Sequence, residues 1–437
     1  MNLRSVLVGV AIGIHLVMVG SILCQPLASQ STPGAPRYLG WRLHHDSTRM
    51  EGPGVDFFSV YHAGRSADVG ISMYRMLEVG TNRTPYYFEY RYLPIVGQTL
   101  GRLLTVLPAI WAYRLWVLLV EGLCLLLAFV FRPGRTGSRA HRAGWLAYML
   151  STPFFLELHM GQFTFAAAAL GVMGLLLFGD RPAGPGETAR RWAAGALLAV
   201  SVLMKLFPVA LLVPLARRRR LWGVVAAVAV VLAVAIVPGF VLHPDDWYNF
   251  IDANAIVLPG AGNFGLQYAV LLTAEGFGPH WPLDWWSLAT KIGLLLFGGT
   301  AVVAVVLARR RAILAEGAVM LSALILASYQ IWEHHASAEV LAGLMLIVAI
   351  EREVARRGTN GEAEAMERLD WWCGWVAAAS TILLALPTTY ALIDPNPKFW
   401  SFADRMALQW TKPIGTLGIY LAGLVWLTRR KWTSVTC

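Results

Sequence analysis

Long apolar runs recur along the chain, divided by short polar stretches in which arginines cluster. A run of about 20 apolar residues spans the roughly 30 Å hydrocarbon core of a bilayer as a helix. The pattern therefore predicts crossings near 4–24, 111–131, 143–159, 162–179, 221–242, 286–308, 312–332, 336–351, 371–391 and 413–428. The stretch 192–216 (WAAGALLAVSVLMKLFPVALLVPLA) is different, because arginines flank it on both sides. A single crossing there would leave one basic cluster on the wrong face. Two short segments of about 12 residues, each roughly 18 Å long at 1.5 Å per residue, restore the parity if they meet at Lys205-Leu206-Phe207-Pro208. Pro208 cannot continue an undisturbed helix, and a broken helix in a membrane needs protein or water to fill the depth it does not span.

The basic clusters set the orientation. Arg132, Arg135, Arg139 and Arg142; Arg181, Arg190 and Arg191; Arg217 to Arg220; Arg309 to Arg311; and Arg429 to Lys431 all fall on one side once the broken pair is counted. Cytoplasmic loops carry such an excess. The expected fold is an all-α polytopic transmembrane bundle of about 10–12 crossings, forming one membrane domain over 1–437. Within it, 1–24 reads as a retained signal anchor and 25–110 as the first extracytoplasmic loop. Residues 111–351 form the transmembrane core, 352–369 a cytoplasmic loop and 370–437 a C-terminal helix pair. Inside the first loop, LPIVGQTLGRLLTVLP between Pro94 and Pro108 reads as an interfacial or re-entrant helix.

Composition agrees with that class. Of the 437 residues, 57% are hydrophobic and 14% charged, against about 25% charged in an ordinary soluble domain. The net charge of +10 sits in the short loops rather than along a basic face interleaved with aromatics, which argues against nucleic acid as a partner. Cys24, Cys124, Cys373 and Cys437 are far apart and lie in or beside apolar runs, so neither a disulfide framework nor a zinc site is indicated. The apolar stretch of MNLRSVLVGVAIGIHLVMVGSILC exceeds the 7–15 residues of a typical signal-peptide core, which favours an anchor. No Walker loop, dinucleotide fingerprint or HExxH occurs, and no acidic pair stands at obvious metal-ligand spacing. No cofactor is expected.

Ionisable residues at hydrocarbon depth cost about 2.5–3.5 kcal/mol on insertion scales, so those near it draw attention. VDFFSVYHAGRSADVGISMY, 55–74, puts Asp56, Tyr61, Arg65 and Tyr74 near helical spacing. Spacing alone fits a wet amphipathic helix lying on the surface. Lys205 in the broken pair either snorkels to the interface or holds an anionic phosphate as a point charge. SYQIWEHHASAE, 328–339, has more polarity than an interface tryptophan needs, in Glu333, His334, His335 and Glu339. Adjacent histidines point to different faces of a helix, which disfavours metal binding by the pair. LHMGQFTF places Gln162 at another outer turn, and GAGNFGLQY places Asn263 and Gln267 in a flexible loop. Asp56, Gln162, Lys205, Asn263 and His334 thus all fall outside or at the outer leaflet.

The order DFFSVYHAGR, YRYLPIVGQTL, GQFTFAAAALGVMGLLL, MKLFPVALLVPLARRRR, SYQIWEHHASAEVL resembles glycosyltransferase family 87, over roughly residues 50 to 350. The resemblance implies the C-type glycosyltransferase fold of bacterial multi-spanning enzymes in the cell membrane. It implies transfer of a hexose, as in polyprenyl-phosphate-mannose-dependent mannosyltransferases, to an extracytoplasmic lipid or glycan acceptor. Asp56 matches the family's catalytic aspartate, Lys205 the lysine of a Lys-aromatic-Pro step, and His334 the first histidine after the tryptophan. On that footing Asp56 and His334 are the catalytic candidates, and Lys205, Arg65, Tyr61, Gln162, His335 and Asn263 the donor- or substrate-binding ones. The chain departs from the family pattern at Leu93-Pro94, where two prolines are usual, at Tyr329 and Gln330 before Trp332, and around Asn263. A multi-spanning transporter would show matching interruptions in two halves, and no internal repeat is found. A non-catalytic lipid-binding membrane protein would not need Asp56.

Overall fold

The structure is a computed structural model. It describes residues 3–25, 53–74, 89–134, 137–179, 186–242, 244–255, 263–275, 283–308, 310, 312–328, 330–359, 368–387 and 401–429. Cys437 and parts of the expected loops at 25–110 and 352–369 lie outside these residues.

The described residues are helical apart from short connections and one isolated β-bridge between Asn263 and Trp332. In chain order come α1 (Leu3–Cys24) and α2 (Val55–Asp68). A short helix follows, opening as α3 (Pro94–Val96), passing through a π turn at Gly97–Gly101 and closing as α4 (Arg102–Leu104). Next are α5 (Ala109–Val130), α6 (Arg139–Met149), α7 (Thr152–Met160), α8 (Thr164–Phe178) and α9 (Glu187–Met204). A 3-10 turn at Phe207–Leu211 runs into α10 (Leu212–Ala216), then α11 (Trp222–Leu242), α12 (Pro244–Ala255) and α13 (Leu266–Glu275). α14 (Leu283–Gly293), a π turn (Leu294–Gly298) and α15 (Gly299–Leu307) form another long rod. The last four are α16 (Ile313–Ala327), α17 (Ala336–Thr359), α18 (Arg368–Ala385) and α19 (Phe402–Thr428).

This is the polytopic helical bundle that the apolar runs predict. Among the described residues four segments are long and apolar enough to cross alone: Val6–Cys24, Ala109–Val130, Arg219–Val241 and Leu288–Leu307. A further pair, Arg139–Met160 and Thr164–Phe178, turns back through 115°. The helices that bury themselves in the centre, α16 and the first half of α17, are apolar on nearly every face, as a helix enclosed by others must be.

The broken pair at 192–216 breaks where expected but not in equal halves. α9 is 18 residues long and ends at Lys205, whose backbone is extended (φ −148, ψ 140). Only the return limb, Phe207–Ala216, is short. The surface helix that spacing suggests for 55–68 is also corrected. From Val55 to Gly64 every residue of α2 is buried, because the α3–α4 helix crosses directly over it. A Cβ at Gly64 would overlap the Gly101 carbonyl, and one at Gly101 would lie 2.7 Å from the Val60 oxygen. Two bare glycines let the backbones touch, as small residues do where helices meet in membranes.

Polar ties hold the bundle at other points. His15 of α1 joins Glu121 of α5 at 2.8 Å and the Met149 carbonyl at 2.6 Å. Two of the arginine clusters turn inward. Arg217 and Arg218 both reach the fully buried Glu316 of α16, at 2.8 and 2.5 Å. Arg310 and Arg357 share buried Asp370 with the Trp426 indole. Cys24 is exposed, Cys124 and Cys373 are buried, and all three are free thiols.

Candidate active site

Local chemistry explains how Asp56 is placed. Pro53-Gly54 turns the chain into α2, with Gly54 in the left-handed region (φ 76) and its N–H donating to the His159 carbonyl at 2.7 Å. The same carbonyl accepts from the Tyr113 hydroxyl at 2.8 Å. At the end of α7, Gly161 takes φ 65; its N–H bonds to Leu158 and that of Gln162 bonds to Glu157, at 3.2 and 3.0 Å. This is the glycine-dependent helix stop, and it stands against α2, since a Cβ at Gly161 would run into Phe57. Two glycine turns therefore set Asp56 and Gln162 beside each other.

Gln162 points its carbonyl oxygen at the Tyr92 hydroxyl (3.2 Å) and the Phe163 N–H (3.1 Å). Its amide N–H is thereby turned toward the Asp56 carboxylate, which it hydrogen-bonds. The other Asp56 oxygen is buried without a partner. Burial raises the Asp56 pKa from 3.8 to about 6, against the pull of Lys205, Gln162 and Arg91.

These groups open onto one cavity of about 610 Å³. Asp56, Gln162, Lys205, His334 and His335 all line it, so five of the eight residues singled out by sequence converge. Lys205 projects from the helix break with its ammonium 5.7 Å from the centre of the Tyr92 ring. His335 accepts the Trp332 N–H on Nδ1 at 3.0 Å, which leaves its proton on Nε2. His334 lies beside it, its ring tilted by 55° with centres 4.3 Å apart, and its own Nε2 is buried and without a partner. Burial, reinforced by nearby positive charge, holds both imidazoles well below their usual range, so they are neutral. One stretch of wall is apolar (Leu203, Met204, Leu206, Phe207), and another is polar (Glu89, Arg91, Asn254, Gln330).

The remaining three candidates do not line the cavity. Tyr61 is buried and gives its hydroxyl to the Leu107 carbonyl at 3.0 Å. Arg65 stands two turns further along α2, with its Nε buried and unpartnered. Asn263 is a fastener. Its side-chain oxygen accepts from the Gly265 and Ile331 N–H groups at 2.9 and 3.1 Å, which ties its loop to the strand-like residues just before His334.

Two residues at the site were not anticipated. Tyr92 lies within the quoted motif YRYLP, and its hydroxyl orients Gln162. Glu157 of α7 is completely buried and accepts hydrogen bonds from the Phe165 N–H and the Ser337 hydroxyl. A lone acid within PFFLELHM was the available signal, since an unneeded carboxylate in apolar sequence is costly. Among the described residues no group of three or more His, Cys, Asp or Glu is placed to share a metal ion.

No curated protein matches the chain. Among solved structures, apo ArnT from Cupriavidus metallidurans aligns with a TM-score of 0.42 and 15% identity, covering 98% of this chain and 77% of that one. The sequence model of glycosyltransferase family 87 matches residues 94–332, a span that includes Gln162, Lys205 and Asn263 and excludes Asp56, His334 and His335. Because that match takes in more than half of its length, the chain belongs to glycosyltransferase family 87.

Proposed function

We propose that this glycosyltransferase moves a hexose, mannose, from a polyprenyl-phosphate donor to a lipid or glycan acceptor on the extracytoplasmic side of the membrane. One observation carries the reading: a partly desolvated carboxylate and a half-buried ammonium face the same cavity, Asp56 on one wall and Lys205 on another. That pairing suits displacement at an anomeric carbon whose leaving group is already a phosphate. The acceptor hydroxyl gives its proton to the free Asp56 oxygen as its own oxygen attacks C1. The C1–O bond to the phosphate breaks, and polyprenyl phosphate departs with the electron pair. A single displacement of this kind inverts the anomeric centre.

The remaining groups have roles consistent with their chemistry. Lys205 stabilises the negative charge growing on the phosphate, and the Nε2–H of His335 offers a directed donor to the same oxygens. Gln162 aims the base. His334, neutral and with one nitrogen unpartnered, assists Asp56 by accepting or offering a hydrogen bond to the substrates. The apolar wall at Leu203–Phe207 suits an isoprenoid chain, and the polar wall at Glu89, Arg91 and Asn254 suits sugar hydroxyls. A preassembled lipid-linked donor needs no nucleotide-binding fold.

The test is incubation of purified protein with radiolabelled polyprenyl-phosphate mannose and extracted cell-envelope lipids, with polyprenyl-phosphate glucose in parallel. Label appearing in a new glycolipid from the mannose donor alone supports the proposal. Transfer from glucose alone would move the sugar assignment, and transfer from neither donor would overturn the donor class.

A further inference from the structure

We infer that Glu157 is a positioning residue of the transfer site, fixing Gln162, which stands beside Asp56, together with His334 in the cavity wall. The inference rests on the reading of this cavity as the place of sugar transfer. Glu157 does not line the cavity and is fully buried, so it acts through other groups.

The geometry is that of a clamp. One Glu157 oxygen takes the N–H of Phe165, in the first turn of α8, three residues after Gln162. The other takes the hydroxyl of Ser337, in the first turn of α17, three residues after His334. The Glu157 backbone carbonyl also accepts the N–H of Gln162 itself, at 3.0 Å. A single side chain thus ties the two turns that bring Gln162 and His334 to the cavity. A buried polar group that is fully paired defines a unique arrangement more sharply than apolar packing does.

Charge is the second part. A carboxylate at 0% exposure is expensive to bury without a compensating cation, and an alanine–leucine contact would join the same helices at less cost. Lys205 is the nearby cation, within Coulombic reach of both Asp56 and Glu157. The charged groups around Glu157 are Asp56 on α2 and Lys205 beyond α9; neutral His334 and His335 stand at the foot of α17, and Arg91 lies further off beside Asp56.

Two variants test this in detergent-purified enzyme with polyprenyl-phosphate mannose as the probe. Glu157→Gln removes the charge and upsets one arm of the clamp: its amide oxygen still accepts from Phe165, but its N–H₂ meets the Ser337 hydroxyl, which must turn from donor to acceptor. Turnover is expected to fall by about 10²-fold, the scale of a misplaced reacting geometry, with the donor KM within about threefold of wild type by the same reasoning. Ser337→Ala leaves the charge and removes one arm of the clamp, for a loss of about tenfold in kcat. A merely structural Glu157 would leave Glu157→Gln with wild-type kcat, and that result overturns the inference. If Glu157→Gln does not fold, Ser337→Ala decides alone, and wild-type turnover in it has the same meaning. An inactive wild type would instead count against the transfer reading itself.

Discussion

Asparagine at position 56 should cost the protein its activity and make it more stable. Burial lifts the Asp56 pKa from 3.8 to about 6, and each tenfold change in acidity is worth about 1.4 kcal/mol. Holding the carboxylate ionised inside the fold therefore costs up to about 3 kcal/mol at neutral pH. The direction follows from the folded pKa lying above the unfolded one. Stability from the protonated form is present in full below pH 3.8 and is lost as pH rises through about 6. Asparagine is neutral at every pH and nearly isosteric, so it avoids this loss. Wild type and Asp56→Asn should unfold at similar temperatures at pH 4, diverge as pH rises to about 6 and keep that full difference above it, with the variant the more stable. Turnover in the same preparation should fall by about 10²–10⁴-fold, as when a general base is removed, and wild-type rate should itself decline below about pH 6. The assays are thermal unfolding in detergent across pH 4–8 and sugar transfer from the labelled donor. A variant that keeps more than a tenth of wild-type turnover, or whose melting temperature at pH 8 equals the wild type's, refutes the reasoning.

Three further outcomes are expected. Lys205→Met should weaken donor use with expression unchanged, and Lys205→Arg should restore it only in part, since a planar guanidinium does not replace a compact ammonium; donor saturation curves measure both. Cysteine at Val69, which is 64% exposed at the end of α2, should react with an impermeant thiol reagent on intact cells once the native cysteines are replaced. Labelling only after lysis would invert the orientation. Glu316→Ala should lower stability by about 3–5 kcal/mol by leaving Arg217 and Arg218 facing each other in a nearly buried site, read as a fall in melting temperature without a change in donor KM.

The bundle was legible because a bilayer imposes a length on every apolar run, and helix limits such as 111–131 against Ala109–Val130 differ by only a residue or two. The break at Lys205 was legible for a related reason: Pro208 and two flanking basic clusters leave few other solutions. Asp56, Gln162, Lys205 and His334, which the sequence reading groups at one end of the predicted crossings, line one cavity. What spacing could not convey was which side of α2 meets the cavity. At 3.6 residues per turn Tyr61 and Arg65 stand about 140° and 180° around α2 from Asp56, so the turn at Gly54 that aims Asp56 at the cavity aims them away from it. The burial of α2 was hidden as well, because what covers it is a separate helix whose approach depends on Gly64 and Gly101 rather than on apolar periodicity. Glu157 escaped notice since its importance lies in Ser337, 180 residues away.

The bare contact between Gly64 and Gly101 has a genetic consequence. Asp56 lies eight residues before Gly64 on the same helix, about 12 Å at 1.5 Å per residue, and nothing soft separates that helix from the one crossing it. Every missense change at either glycine codon adds a side chain where the backbones already touch, so the helix carrying the carboxylate must slide or tilt as a unit. In a random mutational screen these two codons should score with Asp56 itself, although neither glycine can meet a substrate.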